Sequence, residues 1–167
     1  MFRDPRSFPF VSALEAAFED VLAELGALPD EAFTPSSDSL TTVSGDYDET
    51  GWLYCDLHGG EGAELHREAC PLTARACAAV PGLRNAGFSR FRPGTHLYPH
   101  RGEIPGVLRC HLPLLVPAGD LGLRFGEDAR AWEAGRCLIF DDTFEHEAWN
   151  RGDGDRVVLL VTFAPDA

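Results

Sequence analysis

From Gly87 onward the chain is cut into short apolar runs: Gly87–Arg92, Thr95–Tyr98, Val107–Val116, Leu121–Phe125, Ala129–Trp132, Arg136–Phe140, His146–Asn150 and Arg156–Phe163. Proline, glycine, aspartate and asparagine fill the gaps between them. Runs this short cannot be stable helices, and their regular punctuation predicts an antiparallel sheet that closes or doubles on itself. The expected architecture is mainly β with flanking helices, a jelly-roll or cupin-like barrel over about residues 86–165. The 12 prolines and 17 glycines among 167 residues fit many turns better than a helical bundle. No repeat or linker divides the chain, so residues 1–167 read as one domain.

The N-terminal half reads differently. Pro5 and Pro9 block a helix at the start. Ser12 with Glu15 three residues on forms a capping-box pattern, and Leu14, Ala17, Phe18, Val21, Leu22 and Leu25 recur at helical spacing. One amphipathic helix over about 12–28 is expected, stopped by Pro29. The polar stretch 30–50 reads as turns, with a loop at Asp46–Gly51. Trp52–Leu57 has strand composition, His58–Gly62 is a flexible link, and a short helix fits Leu72–Val80 before Pro81.

Charge and cysteine content exclude several function classes. A net charge of −13 repels nucleic-acid phosphates and anionic membranes, so neither is expected as a partner. The five cysteines are odd in number and contain no CxxC pair, which fits reduced, buried thiols in a cytoplasmic protein rather than a disulfide or zinc framework. The longest apolar run, Val157–Ala164, is too short to span a bilayer.

The chemistry concentrates in two phrases, Pro93-Gly-Thr-His-Leu-Tyr-Pro-His100 and Phe140-Asp-Asp-Thr-Phe-Glu-His146-Glu-Ala-Trp149. His100 and His146 lie too far apart in sequence for a helical metal motif, but a barrel brings strand ends together. Two imidazoles so placed suit a divalent metal such as Fe(II). The usual third ligand, a carboxylate two residues after the first histidine, is absent, because that position is Gly102. Glu103 is adjacent but in the wrong phase. Asn150-Arg-Gly-Asp-Gly-Asp155 is a strong turn signal that would fold the Arg156 strand back against the His146 strand. A guanidinium inside a barrel needs an anion, and a dicarboxylate would suit it. Arg109 and His111 share a face of an otherwise apolar run, which is costly unless they meet a charged ligand or partner. The plainer alternative pairs Arg156 with Asp142 or Glu145. His58, His66 and His96 read as ordinary surface or hydrogen-bonded histidines.

These phrases, together with Phe88-Ser-Arg-Phe-Arg92, Leu108-Arg-Cys-His-Leu112 and the stretch from Trp132, closely resemble the aspartyl/asparaginyl β-hydroxylase family. The resemblance is dense over roughly the last half of the chain. It implies a double-stranded β-helix fold and an oxygenase dependent on Fe(II), 2-oxoglutarate and O2, which hydroxylates an unactivated C–H bond with release of succinate and CO2. It implies His100 and His146 as iron ligands, and it makes Gly102 a family trait. Ser89 and Arg156 match the residues that hold the distal carboxylate of 2-oxoglutarate. Arg109 and His111 match residues near its iron-proximal carboxylate and the substrate. Asp142 and Trp149 match supporting residues. Gly87 and Val107 stand where the member acting on EGF-like domains has basic residues, so a different amino-acid, peptidyl or carrier-bound substrate is expected. Trp52, Tyr54, Arg90 and Arg92 are the candidates for its pocket. The competing reading is a non-catalytic cupin-like module that binds or senses a small acid.

Overall fold

The computed structural model describes residues 1–35, 43–47, 51–60 and 62–165, the segment 43–47 by its backbone only. Two antiparallel sheets face one another, with helices packed behind the larger one. Among the described residues the larger sheet holds, in order, β1 (Phe2–Arg3), β10 (Leu138–Phe140), β7 (Leu108–Leu115), β12 (Arg156–Phe163), β5 (Leu83–Phe91), β4 (Trp52–His58) and β2 (Thr34–Pro35). The smaller holds β3 (Val43–Tyr47), β6 (His96–Gly102), β11 (His146–Asn150), β8 (Leu121–Phe125) and β9 (Asp128–Arg130). Two facing sheets with strands alternating between them form the double-stranded β-helix, or cupin-type jelly roll.

The central strands β7 and β12 are buried on both faces, which is why they read as unbroken apolar runs. One parity of each strand, Leu108, Cys110, Leu112 and Leu114 with Val157, Leu159, Val161 and Phe163, packs outward into a core shared with the helices. The other parity faces the smaller sheet. There Trp52, Tyr54, Phe91, Val158 and Leu160 meet Leu97, Leu123, Phe125 and Ala148 in a second core. Burying aliphatic side chains on both sides of one sheet contributes about 1.5–3 kcal/mol per fully buried residue before entropy is counted.

The helical half departs from expectation in three places. The helix expected over 12–28 is two helices, α1 (Phe10–Ala16) and α2 (Phe18–Ala27), hinged at Ala17. The capping box does not form. The helix already starts after Pro9, and the Glu15 carboxylate instead accepts the Cys137 amide at 2.8 Å and pairs with Arg136 at 3.3 Å. A long-range orphan amide has outbid a local one. A helix the sequence did not announce, α3 (Ala63–Ala69), precedes α4 (Pro71–Ala78), which matches the expected second helix to within two residues. The barrel also reaches beyond 86–165, because β1 to β4 from the N-terminal half extend both sheets. Of the expected Asp46–Gly51 loop, Asp46 and Tyr47 belong to β3, and 48–50 lie outside the described residues.

The turn at Asn150–Asp155 forms, with the Asn150 side chain donating to the carbonyls of Phe91 and Gly154 and accepting from the Gly152 amide. Its consequence differs from expectation. β12 does not pair with β11. It crosses to the larger sheet and inserts between β5 and β7, with Arg156 opposite Phe91 and Thr162 opposite Arg109. Arg156 and His146 therefore share a cavity across the space between sheets, not across a hairpin.

Candidate active site

The space between the sheets contains a small, partly enclosed cavity. It is lined by Trp52, Ser89, Phe91, His100, Arg109, His111, Trp132, Asp142, His146 and Arg156, with Leu97, Leu123, Phe140, Ala148 and Leu160 filling the walls. Every residue expected to hold a metal or co-substrate is brought here: His100, His146, Ser89, Arg109, His111 and Arg156.

His100 on β6 and His146 on β11 are paired directly across the smaller sheet, with ring centroids 4.3 Å apart. Both are buried. The His100 Nδ1–H donates to the Tyr98 carbonyl at 2.6 Å, and the His146 Nδ1–H donates to the Phe144 carbonyl at 2.8 Å. A carbonyl can only accept, so each ring carries its proton on Nδ1 and leaves the Nε2 lone pair free, the arrangement that supports imidazole ligands to a metal. Burial pushes the His100 pKa below the ordinary histidine value. Burial and the neighbouring His100 ring bring His146 down to about 3. Both rings are thus neutral at pH 7. Among the described residues no third His, Cys, Asp or Glu joins them in a metal-holding cluster. Glu103 is exposed and does not reach the cavity.

What stands beside Gly102 explains why this position is glycine. A Cβ placed there would lie 2.4–2.6 Å from the three carboxyl atoms of Asp142. The space a side chain at position 102 would enter is taken by a carboxylate from the segment before β11. Asp142 is anchored there: Gly102 donates its amide to the Asp142 carbonyl at 2.8 Å, and Arg109 Nε donates to Oδ2 at 2.8 Å. Arg109 also donates to the Thr162 hydroxyl. Asp142 Oδ1 is buried with no hydrogen-bond partner among the described residues.

Arg156 lies at the other end of the cavity. It is 0 % exposed, and none of its three guanidinium nitrogens has a hydrogen-bond partner among the described residues. Asp142, offered by the plainer sequence reading as its partner, is engaged by Arg109. Glu145 stands 3.8 Å from Arg101 at the surface. The guanidinium instead lies between aromatic rings, 3.7 Å from the Phe91 centroid and 4.7 Å from that of Trp132. Burial lowers its pKa to about 9, which still leaves it charged at neutral pH. His111 is also buried. Burial and the nearby Arg156 charge push its pKa well below the ordinary value, so it is neutral.

The expected substrate residues fare less well. Trp52 lines the cavity, donating its indole N–H to Ser89 Oγ at 3.1 Å. Tyr54 does not line it. Its ring fills the place a side chain at Gly87 would take, and its hydroxyl donates to Asn85 Oδ1 at 2.9 Å. Arg90 has the wrong parity on β5. It points out of the barrel, over Phe33, and pairs with Asp30 at 3.0 Å. Arg92 is exposed just beyond the strand. Trp149, expected to support the site, lies on the outer face of the smaller sheet with its indole N–H on Asp120 at 2.8 Å. Sequence reasoning missed Trp132 and Thr162 as neighbours of the key polar groups. The even spacing of Thr162 from Arg156 on one strand was the available signal for the latter.

A family model for aspartyl/asparaginyl β-hydroxylase matches residues 15–165. The ornithine lipid ester-linked acyl 2-hydroxylase of Rhizobium tropici is 42 % identical over 170 residues, covering 96 % of this chain and 59 % of that protein. The aspartyl/asparaginyl beta-hydroxylase of Mus musculus is 42 % identical over 104 residues, covering 58 % of this chain and 14 % of that protein. The human aspartate beta-hydroxylase domain-containing protein 2 is 33 % identical over 165 residues, covering 90 % of this chain and 43 % of that protein. The chain thus spans well under two thirds of each relative's length. Among solved structures, a predicted oxalate decarboxylase from Thermotoga maritima aligns with 83 % of this chain and 98 % of its own at TM-score 0.47 and 15 % identity. The match over 15–165, carrying both histidines and Arg156 with it, makes the chain a member of the aspartyl/asparaginyl β-hydroxylase family.

Proposed function

We propose that the protein is an Fe(II)- and 2-oxoglutarate-dependent dioxygenase that hydroxylates an unactivated C–H bond and releases succinate and CO2. The observation that carries this reading is Arg156, a buried guanidinium with no hydrogen-bond partner among the described residues, at one end of a cavity whose other end holds two imidazoles with free Nε2 atoms. A buried, uncompensated charge is costly and is retained where it binds an ion of opposite sign.

The residues fit the group. His100 and His146 would hold Fe(II) through Nε2, and nitrogen ligands of this kind suit that metal. Fe(II), when bound, supplies O2 activation coupled to decarboxylation of the 2-oxo acid. Arg156 and Ser89 bind the distal carboxylate of 2-oxoglutarate, and His111 and Arg109 face its metal-proximal end. Arg109 is kept in place by Asp142 and Thr162. The Asp142 Oδ1 atom has no hydrogen-bond partner among the described residues. The apolar walls exclude water, which strengthens each of these charge-assisted contacts. We infer that the two sheets and the helices behind them act as one oxygenase domain in a cytoplasmic protein, in keeping with five buried free thiols.

The substrate we propose is an amino-acid, peptidyl or carrier-bound amino-acid group. The likeness to an ornithine lipid acyl hydroxylase over 96 % of the chain adds an acyl chain linked to an amino acid. The reading is tested with purified protein, Fe(II), 2-oxoglutarate and O2, by measuring succinate and screening these substrate classes for products heavier by one oxygen. Succinate formation in the wild type, and its loss in His100→Ala and in His146→Ala, is the expected result. Binding of 2-oxoglutarate without succinate under all conditions would replace the enzyme with the small-acid binding module.

A further inference from the structure

Two buried tryptophans reach the cavity, and each gives its indole N–H to a polar side chain that lines it. Trp132, 4 % exposed, donates to His111 Nδ1 at 3.1 Å. Trp52, 6 % exposed, donates to Ser89 Oγ at 3.1 Å. A buried indole N–H needs an acceptor, and a backbone carbonyl would serve. Here both acceptors are instead groups beside the orphan guanidinium. Ser89 and Arg156 occupy adjacent inward positions on paired strands, Arg156 being opposite Phe91 and Val158 opposite Ser89. His111 stands on the neighbouring strand, opposite Leu160.

An indole is a donor only. When it occupies Nδ1 of a neutral imidazole, the single ring proton must sit on Nε2. When it occupies a lone pair of a serine hydroxyl, it leaves the O–H free to donate. Neither His111 nor Ser89 has another hydrogen-bond partner among the described residues. Both hydrogens are therefore available to a ligand in the cavity. Trp132 does a second thing at once: its ring lies 4.7 Å from the Arg156 guanidinium carbon, nearly perpendicular to the Phe91 ring on the adjoining side.

We propose that Trp132 and Trp52 are positioning residues that convert His111 and Ser89 into dedicated hydrogen-bond donors, so that the bound acid meets a donor at each carboxylate, Ser89 beside Arg156 at the distal one and His111 beside Arg109 at the metal-proximal one. This rests on the proposed 2-oxoglutarate site for the identity of the acid, but not for the placement of the protons. The His111 tautomer is opposite to that of His100 and His146. The two histidines at the metal end carry the proton on Nδ1 and present a lone pair, whereas His111 carries it on Nε2 and presents a hydrogen. The partner of each Nδ1 atom thus decides whether a ring presents a lone pair to a metal or a hydrogen to the acid.

The test combines a proton readout with a binding readout on the full chain. Long-range ¹H–¹⁵N spectra of the ¹⁵N-histidine-labelled, metal-free protein distinguish protonated from unprotonated ring nitrogens. His111 is expected to be protonated at Nε2 in the wild type and to become a mixture of tautomers in Trp132→Phe, which keeps a ring against Arg156 but has no N–H. Calorimetry of the Mn(II)-loaded protein with 2-oxoglutarate is expected to show about tenfold weaker binding in Trp132→Phe. Trp52→Phe is expected to weaken binding several-fold while leaving the His111 tautomer unchanged. A wild-type His111 protonated at Nδ1 overturns the proposal without any variant. Unchanged affinity in folded Trp132→Phe and Trp52→Phe overturns it too. If wild-type protein fails to bind 2-oxoglutarate, the co-substrate assignment fails, while the spectra still decide whether the indole sets the proton.

Discussion

Replacing Arg156 by methionine should make the ligand-free protein more stable and abolish its acid binding. Complete burial lowers the guanidinium pKa from the ordinary arginine value to about 9, which corresponds to roughly 5 kcal/mol against the charged form. No hydrogen bond among the described residues offsets this. The rings of Phe91 and Trp132 do, at 3.7 and 4.7 Å, and a desolvated cation–π contact contributes about 2 kcal/mol. A net cost of about 1–3 kcal/mol remains, in line with the gain of about 1–4 kcal/mol seen when buried charges yield to apolar groups of similar volume. Methionine is long and flexible enough to occupy the same slot between the rings. Arg156→Met should therefore raise the melting temperature of the metal-free, ligand-free chain by about 3–10 °C. Adding 2-oxoglutarate to metal-loaded protein at about 100 times its dissociation constant should stabilise the wild type by about 2.7 kcal/mol and leave the variant unmoved. Thermal and denaturant unfolding with and without the acid measure both effects. A variant that loses more than about 1 kcal/mol without ligand would show that the guanidinium supports the fold, and the argument from an uncompensated charge would collapse.

Three other outcomes follow from the same geometry. Gly102→Ala should cost about 1–3 kcal/mol, because the new Cβ displaces an Asp142 carboxylate held in a buried ion pair; in an Asp142→Gly background the same change should be nearly neutral, and equal costs in both backgrounds would refute the steric reading. Stability of the metal-free chain should be intact above about pH 6.5 and fall as pH drops toward 3, since His146 is neutral when folded and takes up a proton on unfolding; His146→Phe should flatten that slope by about 1.4 kcal/mol per pH unit in acid titrations of unfolding. Arg90→Ala should leave turnover of 2-oxoglutarate unchanged, as its side chain lies outside the barrel against Phe33 and Asp30, and a large fall in the turnover number would return it to the substrate pocket.

The residues of the site were legible where local chemistry decides them. Turn formers before His146 put it at a strand end, and the shared parity of Arg109 and His111 put both on one face; His100, expected where a strand gives way to a loop, instead stands inside β6 with a paired strand on each side. Gly102 was legible as a missing ligand and then as a family trait, but not as the space occupied by Asp142, because that carboxylate arrives from another segment. Arg90 and Tyr54 misled for a related reason: being near the site in sequence says nothing about which side of the sheet a residue takes, or which neighbour fills the space. The capping box at Ser12 and Glu15 failed because a distant amide, that of Cys137, offered the same carboxylate a better partner.

The sequence by itself determined the class of fold, the strand positions in the C-terminal half, the two histidines and the family. These follow from periodicity, turn chemistry and motif, all of which act over a few residues. Only the tertiary structure decided that β12 leaves β11 and inserts between β5 and β7, that Arg156 stands unpaired between Phe91 and Trp132, and that each indole turns a cavity donor inward. β7 and β12 are apolar on both faces, so alternation marks them as buried strands but does not choose their neighbours. That choice belongs to the packing of two sheets across a shared interior, where contacts join residues far apart in the chain.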